Sequence, residues 1–365
     1  MTPLRVGVVG AGKISGQYAA TLTGLADVEV TAVADLDRAR AQAFAAAAGG
    51  AAVRTLDDLL AADDVDVVLN LTVPAAHADV ALAALAAGKH VYGEKPLAAT
   101  GAQARAVVEA SAAAGRRLGC APDTVLGTGV QTARDVVAAG TIGVPHAATA
   151  FMTTPGHERW HPDPEFYYRP GGGPLLDMGP YYLTALVHLL GPVDRVVGLA
   201  SRPARSRTIG SGPRAGTAFD VEVDTHVTGV LQHAGGALTT LVMSFDAWAT
   251  RMPRIEVHGP GGSLSLPDPN YFDGTVEVFP AGADAWREVP PSAGYVAAGR
   301  GVGVADLARG LAEGTPHRAS ADVALHVLDV MESLLEAART GEAETIGSTC
   351  TVPAGVPGLV DLRAG

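Results

Sequence analysis

Val6-Gly7-Val8-Val9-Gly10-Ala11-Gly12-Lys13-Ile14-Ser15-Gly16 is a short apolar run that enters a glycine-rich turn and then a helix-compatible stretch. Gly10 permits a tight turn, and Gly12 lets the backbone come close to a pyrophosphate at the helix N-terminus, where N–H groups and the helix dipole favour anions. Ser15 stands where a third glycine is usual, and its small side chain still allows close helix–strand packing. Asp35 ends the next apolar run, about where an acid accepts hydrogen bonds from a ribose. Together they predict a dinucleotide site. The Asp35 carboxylate repels a 2′-phosphate, which favours NAD(H), while Arg38 nearby leaves NADP open.

Outward from that turn, apolar runs alternate with Ala-rich helical stretches. Leu4–Val9, Val28–Ala34, Val65–Leu71, His90–Tyr92 and Arg117–Ala121 read as buried strands. Arg38–Ala48, Ala75–Ala87 and Gly101–Ala114 read as helices between them. This alternation predicts an α/β fold, a doubly wound parallel sheet over residues 1–123. Beyond it, Ala147–Thr153, Val193–Ala200, Thr225–Gln232, Leu238–Phe245 and Ile255–His258 read as longer strands, several of them separated by Gly/Pro turns. Helices are expected over Gly127–Ala139, Gly303–Gly314 and Ala321–Thr340. Residues 124–365 are therefore expected to form an α+β domain with a large, open, mostly antiparallel sheet. Arg202–Thr217, rich in Arg, Ser, Gly and Pro, reads as a mobile loop.

The 365 residues carry a net charge of −12 with basic residues scattered singly, which argues against a nucleic-acid partner. No apolar stretch approaches the ~20 residues of a membrane span, and the N-terminal residues lack a signal-peptide pattern, so a cytoplasmic location is expected. Cys120 and Cys350 cannot make a disulfide framework or a Cys-rich metal site. His157 and His161 stand four apart, but Pro162 breaks any helix there and no third His or Cys is near, so no metal is expected.

Gly93-Glu94-Lys95-Pro96 follows the His90 strand at its carboxyl end, the side on which open α/β sheets bind ligands. A lysine there can stabilise the alkoxide that forms as a hydride leaves. With the Gly10/Gly12 turn, this segment and Gly171-Gly-Gly-Pro-Leu-Leu-Asp177-Met-Gly resemble the Gfo/Idh/MocA oxidoreductases nearly end to end. Asn70-Leu-Thr72-Val-Pro74-Ala-Ala-His77, Gly140-Thr-Ile-Gly143 and His258-Gly-Pro-Gly-Gly-Ser263-Leu add to the likeness, as does the stretch from Asp306 through His326.

The resemblance implies an NAD(P)-dependent dehydrogenase or reductase acting on a sugar, sugar derivative or inositol. It extends the cofactor set to Gly10, Gly12, Lys13, Ile14, Asp35, Asn70, Thr72, Pro74, His77, Glu94 and Lys95. It also implies that Lys95 and the residue four after Asp177 contact the reacting oxygen, with Asp177 orienting or charging the lysine. The family's histidine at that place is Tyr181 here, as in branches resembling glucose-fructose oxidoreductase and dihydrodiol dehydrogenase. A tyrosine hydroxyl can still exchange a proton, although Tyr181 could instead be an aromatic packing residue. Asp123, Arg159, Trp160, His161 and Tyr168 are the substrate-side candidates, while Trp248 reads more readily as core. Homo-oligomerisation, as a dimer or tetramer, is expected through the exposed face of the second sheet, with Val227, Leu231, Leu241 and Met243 as candidates for an apolar face. An NAD-dependent glycosidase and a non-catalytic NAD(H)-sensing regulator stand as alternatives.

Overall fold

A computed structural model describes residues 2–363. The first strands and helices are β1 (Leu4–Val9), α1 (Ser15–Leu22), β2 (Val28–Ala34), α2 (Arg38–Ala47), β3 (Ala52–Val53) and α3 (Leu56–Ala61). They continue as β4 (Val67–Asn70), α4 (Pro74–Ala86), β5 (His90–Gly93), α5 (Gly101–Ala114) and β6 (Leu118–Cys120). The six strands pair in parallel in the order β3-β2-β1-β4-β5-β6. Val6, Val8, Val33, Val67, Leu69 and Tyr92 are completely buried, as strands covered on both faces must be. The expected doubly wound sheet is present, and its strand order reverses between β1 and β4. Ligands bind at that switch point in such sheets.

The chain continues as α6 (Thr128–Ala138), β7 (Ala147–Thr153), α7 (Pro174–Leu190), β8 (Val193–Ser201), β9 (Ser206–Thr208) and β10 (Ala218–Asp220). Next come β11 (His226–His233), β12 (Leu238–Ser244), β13 (Ile255–Gly259), β14 (Gly262–Leu266), β15 (Val276–Pro280) and β16 (Arg287–Val289). The last elements are β17 (Gly294–Val296), α8 (Val302–Glu313), α9 (Ala321–Thr340), β18 (Glu344–Thr345) and β19 (Leu359–Asp361). Nine strands form one sheet, β16-β15-β14-β13-β7-β12-β11-β8-β18, in which only β7 and β12 run parallel. One face of it is core. Val227, Leu231, Leu241 and Met243 are all buried there, contrary to their proposed place on an exposed face. The period of two sends their neighbours outward instead, and Val197, Leu199, Val230 and Leu238 are the exposed apolar residues. On the inner face Gly198 and Gly229 pair across β8 and β11, and a Cβ on either would lie 2.5 Å from Leu334 of α9.

The chain divides into two compact units, and the division departs from a single cut after residue 123. The first unit holds the residues up to Gln131 together with Pro291–Leu325 and the segment from Pro353, and the second holds Thr132–Pro290 and His326–Val352. Specific bonds tie the returning segments to the first unit. Asp27 pairs with Arg309 at 2.6 Å, Cys120 N–H donates to Ala319 O at 3.0 Å, and β17 pairs with β19. Residues 202–217 are no free loop in the second unit. β9 pairs with β10, and the largely buried Arg207 of β9 pairs with both Glu158 and Asp246.

Candidate active site

In the first unit the carboxyl ends of β2, β1, β4 and β5 lie side by side, and each carries part of one polar rim. Gly10 has φ +98°, and a Cβ there would lie 2.7 Å from the Leu71 backbone, so only glycine fits the turn. A Cβ on Gly12 would meet nothing within 4 Å, which leaves room for a ligand against that backbone. Ser15 donates its hydroxyl to Gly12 O at 2.7 Å and steadies the turn. Ile14 is the N-cap of α1 and makes no side-chain cap, and no acid stands in the first turn. Lys13 is exposed. Asp35 accepts from Ala11 N–H at 2.6 Å and from Asp37 N–H at 2.7 Å. A carboxylate has about four acceptor sites, so two hydrogen bonds orient it and leave capacity for ribose hydroxyls.

Around that turn, Leu36 is fully exposed just beyond β2 and Val73 is 66% exposed beyond β4. These two apolar side chains follow the strands on either side of β1 and suit a flat base. Sequence reasoning did not single out either, because an apolar side chain in a turn carries no chemistry that marks it. Asp37 was missed as well. It caps α2 through Ala39 N–H and Arg40 N–H and places a second carboxylate near the rim.

Asn70, Thr72 and His77 build the rim from below. Asn70, 2% exposed, accepts from the Thr72 hydroxyl at 2.6 Å and donates to His77 O at 3.0 Å. His77 is equally buried, with its ring nitrogens 2.6 Å from Pro96 O and 3.1 Å from Thr72 O, so it ties the loop after β4 to the one after β5. Pro74 opens α4 as its first residue. The buried Glu94 accepts from Tyr18 OH at 2.8 Å and from Lys95 N–H at 2.9 Å, joining α1 to the lysine turn. Lys95 is half-buried, and the Lys95–Pro96 peptide is cis. The open backbone at Gly12, the uncapped start of α1 and the oriented Asp35 carboxylate fit a dinucleotide. When bound, NAD(H) supplies the hydride acceptor or donor.

In the second unit Gly171-Gly172-Gly173 folds the segment before it back onto the start of α7. A Cβ on Gly172 would lie 2.6 Å from Phe166 O, and Gly173 N–H donates to Tyr167 O at 2.7 Å. Asp177 sits in the first turn of α7, where the helix dipole favours a negative charge. Its backbone N–H bonds Gly173 O, and the N-cap Gly173 receives no side-chain cap. The carboxylate instead meets His157, with Oδ2 3.0 Å from Nε2. Tyr181 follows one turn later on the same helix and is buried. Sequence reasoning did not pair His157 with Asp177. Its partner lies twenty residues on, across a turn that spacing alone does not reveal.

Two substrate candidates are misplaced for that role. Tyr168 is completely buried, and its hydroxyl donates to Glu158 and accepts from His157 N–H at 3.1 Å. Burial and the Glu158 carboxylate push its phenol well above the ordinary range. Asp123 is also fully buried. Its Oδ2 accepts from Gly301 N–H at 2.8 Å and Gly303 N–H at 3.0 Å, so it caps α8. Burial pushes its carboxyl up to about 6. By contrast, Arg159 and Trp160 are exposed, and His161 is half-buried against Trp160, Phe166 and Tyr167. Trp248 is 75% exposed rather than core, with the Arg159 guanidinium 3.8 Å from its ring centroid.

Comparison with known proteins gives matches over both units. The family described as oxidoreductases with an NAD-binding Rossmann fold matches residues 4–121, and the GFO/IDH/MocA C-terminal domain matches 130–265. The dTDP-3,4-didehydro-2,6-dideoxy-alpha-D-glucose 3-reductase of Streptomyces antibioticus is 34% identical over 70% of this chain and 80% of its own. The 1,5-anhydro-D-fructose reductase of Ensifer adhaerens is 31% identical over 71% of this chain and 74% of its own. A solved NAD binding oxidoreductase from Klebsiella pneumoniae superposes with a TM-score of 0.83 at 24% identity, covering 94% of this chain and 99% of that one, which speaks to the fold alone.

Proposed function

The chain belongs to the Gfo/Idh/MocA family of NAD-binding oxidoreductases, and from that premise we propose that it moves a hydride between nicotinamide and a hydroxyl or keto carbon of a sugar, sugar derivative or inositol. The observation that carries the substrate class is the likeness, over most of both chains, to two reductases named for sugar substrates. Asp35, with Asp37 beside it, favours NAD over NADP through repulsion of a 2′-phosphate.

In oxidation the substrate carbon gives up a hydride and its hydroxyl gives up a proton. Lys95 hydrogen-bonds that oxygen and stabilises the alkoxide as it forms. Tyr181 exchanges the proton through its phenolic oxygen, and Asp177, one turn before it on α7, supplies a negative charge that orients the reacting groups. Arg159, Trp160 and His161 offer an aromatic, hydrogen-bonding rim to a hydroxylated ring. Homo-oligomerisation uses the outer face of the large sheet, where Val197 pairs with Val230 across β8 and β11 and Leu199 lies two residues along. An apolar sheet face of this kind is covered by a partner in stable assemblies.

A panel of sugars, inositols and their keto forms, offered with NAD(H) and NADP(H) and followed at the nicotinamide absorbance, tests the reading. Turnover with at least one polyol is expected, and Lys95→Ala should lower kcat on the order of 100-fold or more while NADH still binds. Full turnover in a folded Lys95→Ala protein would overturn the roles assigned here.

A further inference from the structure

We propose that His157 is a positioning residue for Asp177: it holds the carboxylate in its working orientation and so governs the rate of the chemical step. The inference rests on the reading above for what Asp177 does, but its geometry lies wholly within the second unit. Nε2 of His157 stands 3.0 Å from Oδ2 of Asp177, and both side chains are largely buried, at 11% and 18% exposure. An ionised carboxylate only accepts hydrogen bonds. In its neutral form His157 therefore carries its proton on Nε2 and leaves Nδ1 as a bare lone pair. Nδ1 is buried with no hydrogen-bond partner among the described residues, which fits that tautomer.

The ring is fixed from several directions. Phe245, Tyr167 and Trp160 pack around it with centroids at 4.4, 4.6 and 5.3 Å. Its backbone N–H is held by the Tyr168 hydroxyl, which Glu158 holds in turn, and Glu158 is paired with Arg207. The imidazole is thus a rigid donor aimed at one carboxylate oxygen. Asp177 stands in the first turn of a helix whose backbone is already fixed, and the bond from His157 restrains the rotation of its side chain. A misplacement of about 1 Å in such a group costs on the order of 100-fold in rate.

The test uses the full-length protein with NAD(H) and whichever sugar or polyol turns over. His157→Phe keeps a ring in the aromatic box and removes the donor, whereas His157→Gln places an amide N–H near the position of Nε2. For His157→Phe, kcat should fall roughly 30- to 100-fold with KM and the Kd for NADH changed by less than about threefold. His157→Gln should recover to within about fivefold of the native rate. Equal losses in the two variants, or a kcat for His157→Phe within twofold of native, would overturn the proposal. If the native chain turns over no sugar or polyol, the functional reading fails by itself. The pairing is then judged by ¹⁵N NMR of the histidines, with the His157 signal assigned by its loss in His157→Gln. A signal protonated at Nε2, shifting towards a mixture of tautomers in Asp177→Ala, supports the pair; protonation at Nδ1 in the native chain refutes it.

Discussion

Gly10 and Gly12 show how much a single residue's role depends on what surrounds it. Both were legible as glycines of a dinucleotide turn with different tasks, and the structure keeps the two tasks apart. Gly10 is required by the fold, with a positive φ and the Leu71 backbone 2.7 Å from where a Cβ would be. Gly12 meets no protein atom within 4 Å of that position, so any constraint there comes from a ligand. Gly10→Ala should therefore lower the midpoint of thermal unfolding and weaken NADH binding together, with a stability loss of about 1–3 kcal/mol from the strained φ. Gly12→Ala should leave the unfolding midpoint within experimental error and weaken NADH binding alone. Paired thermal melts and NADH fluorescence titrations distinguish the two; an unstable Gly12→Ala protein would mean that the turn cannot accept a side chain even without cofactor.

Among the elements, the long buried strands and the amphipathic helices follow closely from local pattern: β1, β2, α5, β7 and α9 occupy the residues expected of them. Short edge pieces such as β3, β9 and β16 do not, because two or three residues hold no period to read. The role of Asp123 was illegible for a different reason. It stands where a substrate contact or a cap of the following helix is reasonable, yet it caps α8, whose first residue is 179 positions away. That bond helps explain why Pro291–Leu325 joins the first unit. Burial raises the Asp123 carboxyl to about 6, so between about pH 4 and 6 the folded chain keeps a proton that the unfolded chain has released. Stability from this group therefore falls as pH rises through that window. Asp123→Asn preserves an acceptor for Gly301 and Gly303 and should abolish that component, whereas Asp123→Ala should cost about 1–3 kcal/mol at pH 7 by leaving buried N–H groups unpaired. Urea unfolding of the three proteins at pH 4.5 and 7 measures both effects, and equal losses for Asn and Ala would contradict the capping role.

Over the whole molecule, the strand pattern announced a half-exposed sheet, but facing could not be assigned until register was known; a shift of one residue exchanges Val230 for Leu231. Burial also decides how the protein responds to acid. His188, His233, His317 and His326 are all buried, and desolvation pushes each imidazole down, that of His188 to about 3. An unfolded histidine takes up a proton near pH 6.5, so below that pH the unfolded chain binds protons that the folded chain excludes. The stability these groups contribute is present above about pH 6.5 and is lost as pH falls. Asp123 acts in the opposite sense over its narrower window. His188 is the clearest case, because neither ring nitrogen has a hydrogen-bond partner among the described residues and Arg134 adds repulsion to the desolvation. His188→Leu should hold stability at pH 7 near the native value or above it, since an unpaired buried polar group is replaced by an apolar one. Between pH 6.5 and 5 it should remove up to about 1.4 kcal/mol per pH unit from the loss of stability. Urea midpoints across that range give the slope directly, and a variant as acid-sensitive as the native chain would show that His188 is not one of the groups that must charge on unfolding.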